Sequence, residues 1–206
     1  MKIPNGYMVA IEGIDAVGKK THCQLLSRWL RARGLETTVQ SFPDYATPIG
    51  KEIRLFLTGK RAYPVELQHM LFAANRWEKR DEIASDLRHG GLVVVNRYSE
   101  SNLAYGMANG LDVDWLASLE RGLPATDLVI VLEAPPPSLR SRRPKVSKDA
   151  YERSSGLQKR AQDAYRELAK DRGWTQVDAN RPVPQVQIRV QAVVRESLGR
   201  DRGISI

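Results

Sequence analysis

Five short strand-like runs, separated by longer stretches of helical spacing, constrain this chain more than any other feature. They are YMVAIEG (7–13), TTVQSF (37–42), GLVVV (91–95), DLVIVLE (127–133) and WTQVDA (174–179). Most are continuous apolar runs with little alternation, so both faces of each strand must be covered. Between them, 19–33 carries Leu25, Leu26, Trp29 and Leu30 on one helical face, with Gly34 as a stop. The segment 48–59 reads as a short helix closed by Gly59, and 64–89 as one long helix. Residues 149–170 are helical, and a final helix begins near Pro184. Strands alternating with helices predict an α/β fold in three layers, a five-stranded parallel sheet between two layers of helices. The 206 residues fit one domain spanning 1–206, with neither an internal repeat nor a low-complexity linker. The prolines at 135–137 mark the exit from the fourth strand, and 201–206 reads as a loose tail.

The stretch GIDAVGKKT, residues 13–21, follows the first strand and opens the first helix. That is the setting of a phosphate-binding loop, G-x-x-x-x-G-K-[ST]. Gly13 and Gly18 let backbone N–H groups turn toward phosphates, and the helix N-terminus adds positive potential. Lys19 is expected to reach the β- and γ-phosphates and Thr21 to set a hydroxyl near the α-phosphate. Lys20 stands where a serine or threonine would hold magnesium.

The formal net charge of +8 favours anionic partners: nucleotides, nucleic acid or anionic lipid. Most charges interleave with apolar residues, as on solvated helix faces. The densest cluster, RSRRPKVSK (140–148), suits a phosphate-facing lid or a nucleic-acid patch. Cys23 is the only cysteine, which excludes an intrachain disulfide and fits a reducing compartment. With neither a secretory apolar segment nor a bilayer-length run, the expectation is a cytoplasmic protein. His22, His69 and His89 lack metal-ligand spacing, so no side-chain metal site is expected.

Four further stretches carry a resemblance: FPDYATPIG (42–50), HMLFAANRWE (69–78), NRYSESNLAY (96–105) and DAYE (149–152). With Asp15 inside the loop, they resemble the thymidylate kinases, from about residue 7 to about 181. The LFxANRWE segment is the most specific part. The resemblance implies a P-loop NTPase fold, three-layer αβα, with a short basic lid at about 138–151. It implies transfer of the γ-phosphoryl of ATP to dTMP, giving dTDP and ADP. Phe72 is expected to stack on thymine, and Arg76, four residues on along the same helix face, to hydrogen-bond its edge. Arg97 would clamp the acceptor phosphate, and Asp15 would contact the sugar 3′-hydroxyl. Phe42, Tyr45, Ser101 and Tyr105 are assigned to the acceptor pocket, and Tyr151 to the sugar's 2′ position. The ATP side comprises Gly13, Ala16, Gly18, Lys19, Lys20, Thr21 and Arg181, which with Asn180 resembles the loop beside adenine. Relatives of this kind form homodimers, to which the apolar positions within 67–77 could contribute; neither a membrane nor nucleic acid is expected as a partner.

The chain departs from the family pattern at Lys20, at Asn96 (an aspartate in the Asp-Arg-Tyr/His motif), at Tyr45 (often arginine) and at Ala16 (arginine in some relatives). Lys20 and Asn96 together make the site two charge units more positive. Two readings stand: Lys20 supplies part of the phosphate neutralisation, or it points to solvent and weakens metal binding. Magnesium would then be held mainly through phosphates and water, with Glu133 offering a carboxylate to one of those waters. Without a loop arginine, a lid arginine must reach the transferring phosphoryl, a contact worth ~10³–10⁵ in rate. Arg140, Arg142 and Arg143 are candidates, Arg143 first. The expected catalytic groups are Lys19, Arg97 and Arg143. Two alternatives remain: a kinase of another pyrimidine monophosphate, dUMP or UMP, or a non-catalytic P-loop protein that binds nucleotide or DNA.

Overall fold

The computed structural model describes residues 3, 5–135, 139, 151 and 154–206. Five strands form one all-parallel sheet: β1 (Tyr7–Glu12), β2 (Thr37–Ser41), β3 (Leu92–Asn96), β4 (Leu128–Glu133) and β5 (Thr175–Asp178). Their order is β2-β3-β1-β4-β5. Every residue of β1 is buried, because it lies between β3 and β4 and is covered on both faces. Helix α1 (Lys19–Arg31) packs on β1, β2 and β3 and against the last helix, α8 (Val183–Arg202), which also covers β4 and β5. Helix α5 (Ser99–Ala108) packs with α7 (Ser155–Arg172), which lies on β4. The α/β expectation of three layers around five parallel strands is met.

The order of the strands also positions the site. From β1 the chain proceeds through β2 and β3 on one side of the sheet, then crosses to β4 and β5 on the other. The crevice beyond the carboxyl ends of the strands at such a switch point is where α/β sheets take ligands. Here that crevice lies over the end of β1, where residues 13–18 emerge.

Several expectations need correction. The segment 64–89 is two helices, α3 (Val65–Trp77) and α4 (Arg80–Arg88), broken at Glu78–Lys79. Residues around the break bond outside the helix: Asn75 Nδ2 donates to Thr47 Oγ1 at 2.8 Å, and Trp77 Nε1 to the Leu119 carbonyl at 3.0 Å. The helical reading of 149–170 is interrupted at Ser154, whose Oγ accepts from Leu157 N at 3.2 Å as the N-cap of α7; Tyr151 is itself helical, and residues 149, 150, 152 and 153 lie outside the described ones. The tail is not loose. Gly203 closes α8 in the left-handed region, and Ile204 and Ile206 pack on the core. Arg195 Nε donates to the Ile206 carbonyl at 2.9 Å. Periodicity alone missed two short helices, α5 and α6 (Val113–Leu119); Asp112 caps α6 by accepting from Trp115 N at 2.7 Å. Helix α2 (Pro48–Leu57) follows its prediction and is capped by Thr47. Among the described residues, no helix is long and apolar enough to cross a membrane.

Candidate active site

The loop between β1 and α1 has the backbone its glycines allow. Gly13 has φ 128°, and a Cβ there would lie 2.4 Å from the Leu132 carbonyl oxygen, so the close approach to β4 requires glycine. Gly18 (φ 105°) is the N-cap of α1 and offers no side-chain acceptor. The first turn contains no acidic residue. The helix therefore begins with uncapped N–H donors and unopposed positive potential, the arrangement that receives an anion. Ala16 also adopts a positive φ, 65°. Lys19 folds back on the loop, its Nζ donating to the carbonyls of Gly13 at 3.0 Å and Ile14 at 2.8 Å. Burial, and after it the neighbouring Arg97, push Lys19 down to about 7, against the pull of Asp15 and Glu12.

A cavity of about 1070 Å³ opens over this loop. Asp15, Ala16, Gly18, Lys19, Lys20 and Thr21 line it from the loop, and Arg181 from the turn after β5. Gly13 lies beneath, in contact with β4, and contributes a carbonyl to Lys19. Lys20 and Thr21 are exposed on the wall. Arg181 pairs with Asp178 at 3.0 Å.

Arg97 follows β3 in a left-handed conformation, φ 65°. That backbone turns its guanidinium across the loop to an ion pair with Asp15. Arg97 Nη1 also donates to Ser101 Oγ at 3.2 Å, and the guanidinium sits 5.2 Å from the Tyr105 ring centre. Asp15 receives a second donor, Gln158 Nε2 at 2.6 Å, while its own N–H donates to Gln158 Oε1 at 3.1 Å. Burial opposes ionisation of Asp15, yet Arg97 and Lys19 hold its carboxyl below the usual carboxylate range. Beneath them Glu12 is fully buried and accepts from Tyr98 N and Ser101 Oγ, each at 2.6 Å, and from the Tyr165 hydroxyl at 2.7 Å.

The opposite half of the cavity is aromatic. Phe72 is partly exposed on its wall, with edge contacts to Phe56, His69 and Tyr151 at centroid distances of 5.7, 6.0 and 5.9 Å. Its ring is therefore fixed by neighbours yet open to the cavity. Arg76, one turn on, also lines the cavity while its Nε donates to Glu120 Oε2 at 2.8 Å. Asn102 Nδ2 donates to Glu120 Oε1 at 2.8 Å, and Asn102 Oδ1 lies 2.7 Å from His69 Nδ1. Because that amide oxygen can only accept, His69 carries its proton on Nδ1; burial lowers its pKa to about 4. Phe42, Tyr45, Ser101 and Tyr105 line the same cavity. The Tyr151 hydroxyl donates to Gln68 Oε1 at 2.9 Å.

Of the expected site residues among the described ones, all but Gly13, Asn180 and Glu133 line this one cavity; Gly13 offers its carbonyl to Lys19, and Asn180 N donates to Asp178 Oδ1 at 2.8 Å in the turn beside Arg181. Arg143, with Arg140, Arg142 and most of the 138–151 segment, lies outside the described residues. Glu133 does not line the cavity; it accepts from Arg166 Nε at 3.2 Å and Gln176 Nε2 at 3.3 Å, so it is not poised to serve a water there. Sequence reasoning missed Glu12, Gln158, Glu120 and Asn102. Glu12 did leave a signal, an acidic residue ending a strand buried on both faces. The others become visible only through their partners. Among the described residues, no group of three or more His, Cys, Asp or Glu could hold a metal ion.

Comparisons with known proteins agree with this geometry. A family model described as thymidylate kinase matches residues 11–190. The thymidylate kinase of Arabidopsis thaliana is 35% identical over 195 residues, 95% of this chain and 73% of that protein. The human thymidylate kinase is 30% identical over 201 residues, covering 96% and 94% of the two chains. A solved structure of the Candida albicans thymidylate kinase superimposes with a TM-score of 0.81 at 29% identity, covering 93% of this chain and 92% of its own. A match that runs through the phosphate loop, the Phe72–Arg76 helix and the last helix admits one conclusion: the chain belongs to the thymidylate kinase family.

Proposed function

We propose that the chain transfers the γ-phosphoryl of ATP to dTMP, giving dTDP and ADP. One observation carries the reading: Phe72 and Arg76 open onto the same cavity as the phosphate loop. A base held flat on the phenyl ring would direct its phosphate toward Arg97, and the loop would bring the donor's terminal phosphate to meet it. Transfer is direct and in line, without a covalent enzyme intermediate. The acceptor phosphate needs little activation near neutral pH, so catalysis is placement and charge neutralisation. Lys19 and Arg97 serve the phosphates, Asp15 the sugar, and Tyr151 the space beside its 2′ carbon. Phe42, Tyr45, Ser101 and Tyr105 complete the acceptor pocket. Arg181 serves the nucleoside of ATP, and Arg143 closes from the lid within a single domain spanning 1–206.

Magnesium accompanies ATP and neutralises phosphate charge when bound. Asp15 is engaged by Arg97 and Gln158, which leaves few side-chain ligands for a cation. The buried Asn96 Oδ1 has no hydrogen-bond partner among the described residues and is fit to accept from a metal-bound water. The ion would be held mainly through phosphates and water, as its preference for retaining waters allows. The protein works as a homodimer in the cytoplasm, the exposed Leu67, Met70 and Trp77 of α3 supplying apolar area for the contact.

Coupled turnover with dTMP, dUMP, UMP and dGMP tests the reading. dTMP should have the highest kcat/KM, with dUMP behind by the worth of one methyl, about 1–3 kcal/mol. Preference for UMP, or nucleotide binding without turnover of any acceptor, would replace it with one of the alternatives.

A further inference from the structure

The phosphate end of the cavity is short of carboxylates. Asp15 is the only acidic side chain lining it among the described residues, and both its oxygens are engaged. Arg97 takes one; Gln158 Nε2 at 2.6 Å and the Tyr105 hydroxyl at 3.3 Å share the other. Glu12 and Glu133, at the ends of adjacent strands, serve other donors and do not line the cavity. Basic side chains stand there instead: Lys19, Lys20, Arg97 and Arg181. Lys20 is exposed on the wall and makes no ion pair among the described residues.

Two positions set this balance. A phosphate loop ordinarily follows its lysine with a hydroxyl that ligates magnesium, and a strand-end aspartate completes the metal's surroundings. Here the first is Lys20 and the strand-end position carries Asn96, whose Oδ1 is buried and unpartnered among the described residues and whose Nδ2 is 3.5 Å from Ser41 Oγ. An amide oxygen can accept from a water but brings no charge. A hydroxyl changed to an ammonium and a carboxylate to an amide each move the site one unit positive. The sum equals the charge of the metal ion whose ligands have been replaced.

We infer that Lys20 is a direct phosphate ligand supplying charge otherwise supplied by magnesium, so that this chain binds metal-free ATP with nearly the affinity it has for the magnesium complex. The inference rests on the ATP-site reading above. A lysine suits this role because its ammonium is a compact charge with three donors on a flexible stem. Because Lys20 is exposed, its movement toward phosphate breaks no internal contact.

The test is titration calorimetry with the β,γ-imido analogue of ATP, in magnesium and in EDTA. It compares the wild type with Lys20→Ser, Lys20→Arg, Asn96→Asp and the Lys20→Ser/Asn96→Asp pair. Chelation should weaken wild-type binding by no more than about threefold, while Lys20→Ser should lose about tenfold in EDTA, the size of one charge-assisted contact. Lys20→Arg should restore the metal-free affinity, which a merely structural role would not require. The double variant should become strongly metal-dependent. Lys20 is exposed, so its two single variants decide the matter even if Asn96→Asp folds poorly. A wild type that loses as much affinity on chelation as the double variant, or a Lys20→Ser that binds unchanged in EDTA, overturns the inference alone. A wild type that binds the analogue in neither buffer overturns the ATP-site reading and this inference with it.

Discussion

Arg76 and Glu120 form a buried ion pair, Arg76 Nε donating to Glu120 Oε2 at 2.8 Å, with side chains 3% and 8% exposed. The guanidinium that faces the cavity is thereby neutralised from behind by the residue that ends α6. Removing one partner of a buried pair leaves an uncompensated charge, which costs about 3 kcal/mol. Glu120→Gln should lower the melting temperature by about 6–12 °C for a chain of this length. It should also raise the KM for dTMP, because Arg76 loses the partner that orients it. Calorimetric melting and steady-state kinetics read both effects, and unchanged values would show that the pair contributes nothing.

Gln158 bonds four groups at once: the Asp15 carboxylate, the Asp15 N–H, the Tyr105 hydroxyl at 3.4 Å and, through Nε2 at 3.1 Å, the Tyr151 carbonyl. Gln158→Leu keeps the side chain's bulk and removes all four. A loss of about tenfold in kcat/KM is expected, the worth of unpairing charged and buried groups. Kinetics with dTMP as the varied substrate check it.

Lys19 sits near 7 in the ligand-free protein because burial and Arg97 disfavour its charged form. Phosphates favour the charged form, so nucleotide binding raises its pKa. At about pH 8 the free protein has mostly neutral Lys19, and binding should take up about one proton. At about pH 6 the ammonium is already present and that uptake should vanish. Calorimetry in buffers of different ionisation enthalpy measures the difference; equal proton traffic at both pH values would refute it.

Gly13→Ala asks a φ of 128° of a residue with a Cβ, and sets that Cβ 2.4 Å from the Leu132 carbonyl oxygen. The strand-to-loop junction must shift. Destabilisation of about 1–3 kcal/mol is expected from a strained φ position, with nucleotide affinity lost in parallel. Chemical denaturation and nucleotide titration test the two together.

If α3 carries the homodimer contact, charges at Leu67 and Met70, which are 38% and 42% exposed, should separate the subunits without unfolding them. Leu67→Asp/Met70→Asp is expected to sediment as a monomer and the wild type as a dimer. A monomeric wild type at micromolar concentration would remove the homodimer from the reading.

The sequence by itself determined the layer order and the phosphate loop, because both are written in local patterns. A strand buried on both faces must be apolar throughout, and a loop that turns N–H groups inward must place Gly13, Gly18 and Lys19 at set spacings. Phe72 and Arg76 were singled out by the resemblance that HMLFAANRWE carries, and their spacing of four residues set them on one face of α3. The break at Glu78–Lys79 was not legible, because residues outside the helix hold it: Thr47 and Leu119. Only the tertiary structure decided which partners hold the charged groups of the site. Glu120 lies 44 residues from Arg76, and Gln158 lies 143 from Asp15. No periodicity connects such positions; they meet because the parallel crossovers bring separate helices to the carboxyl edge of one sheet. The same closure turned Glu133 toward Arg166 and left Asn96 Oδ1 buried without a partner among the described residues. A carboxylate's role depends on the donors that reach it, and those donors are chosen by the fold.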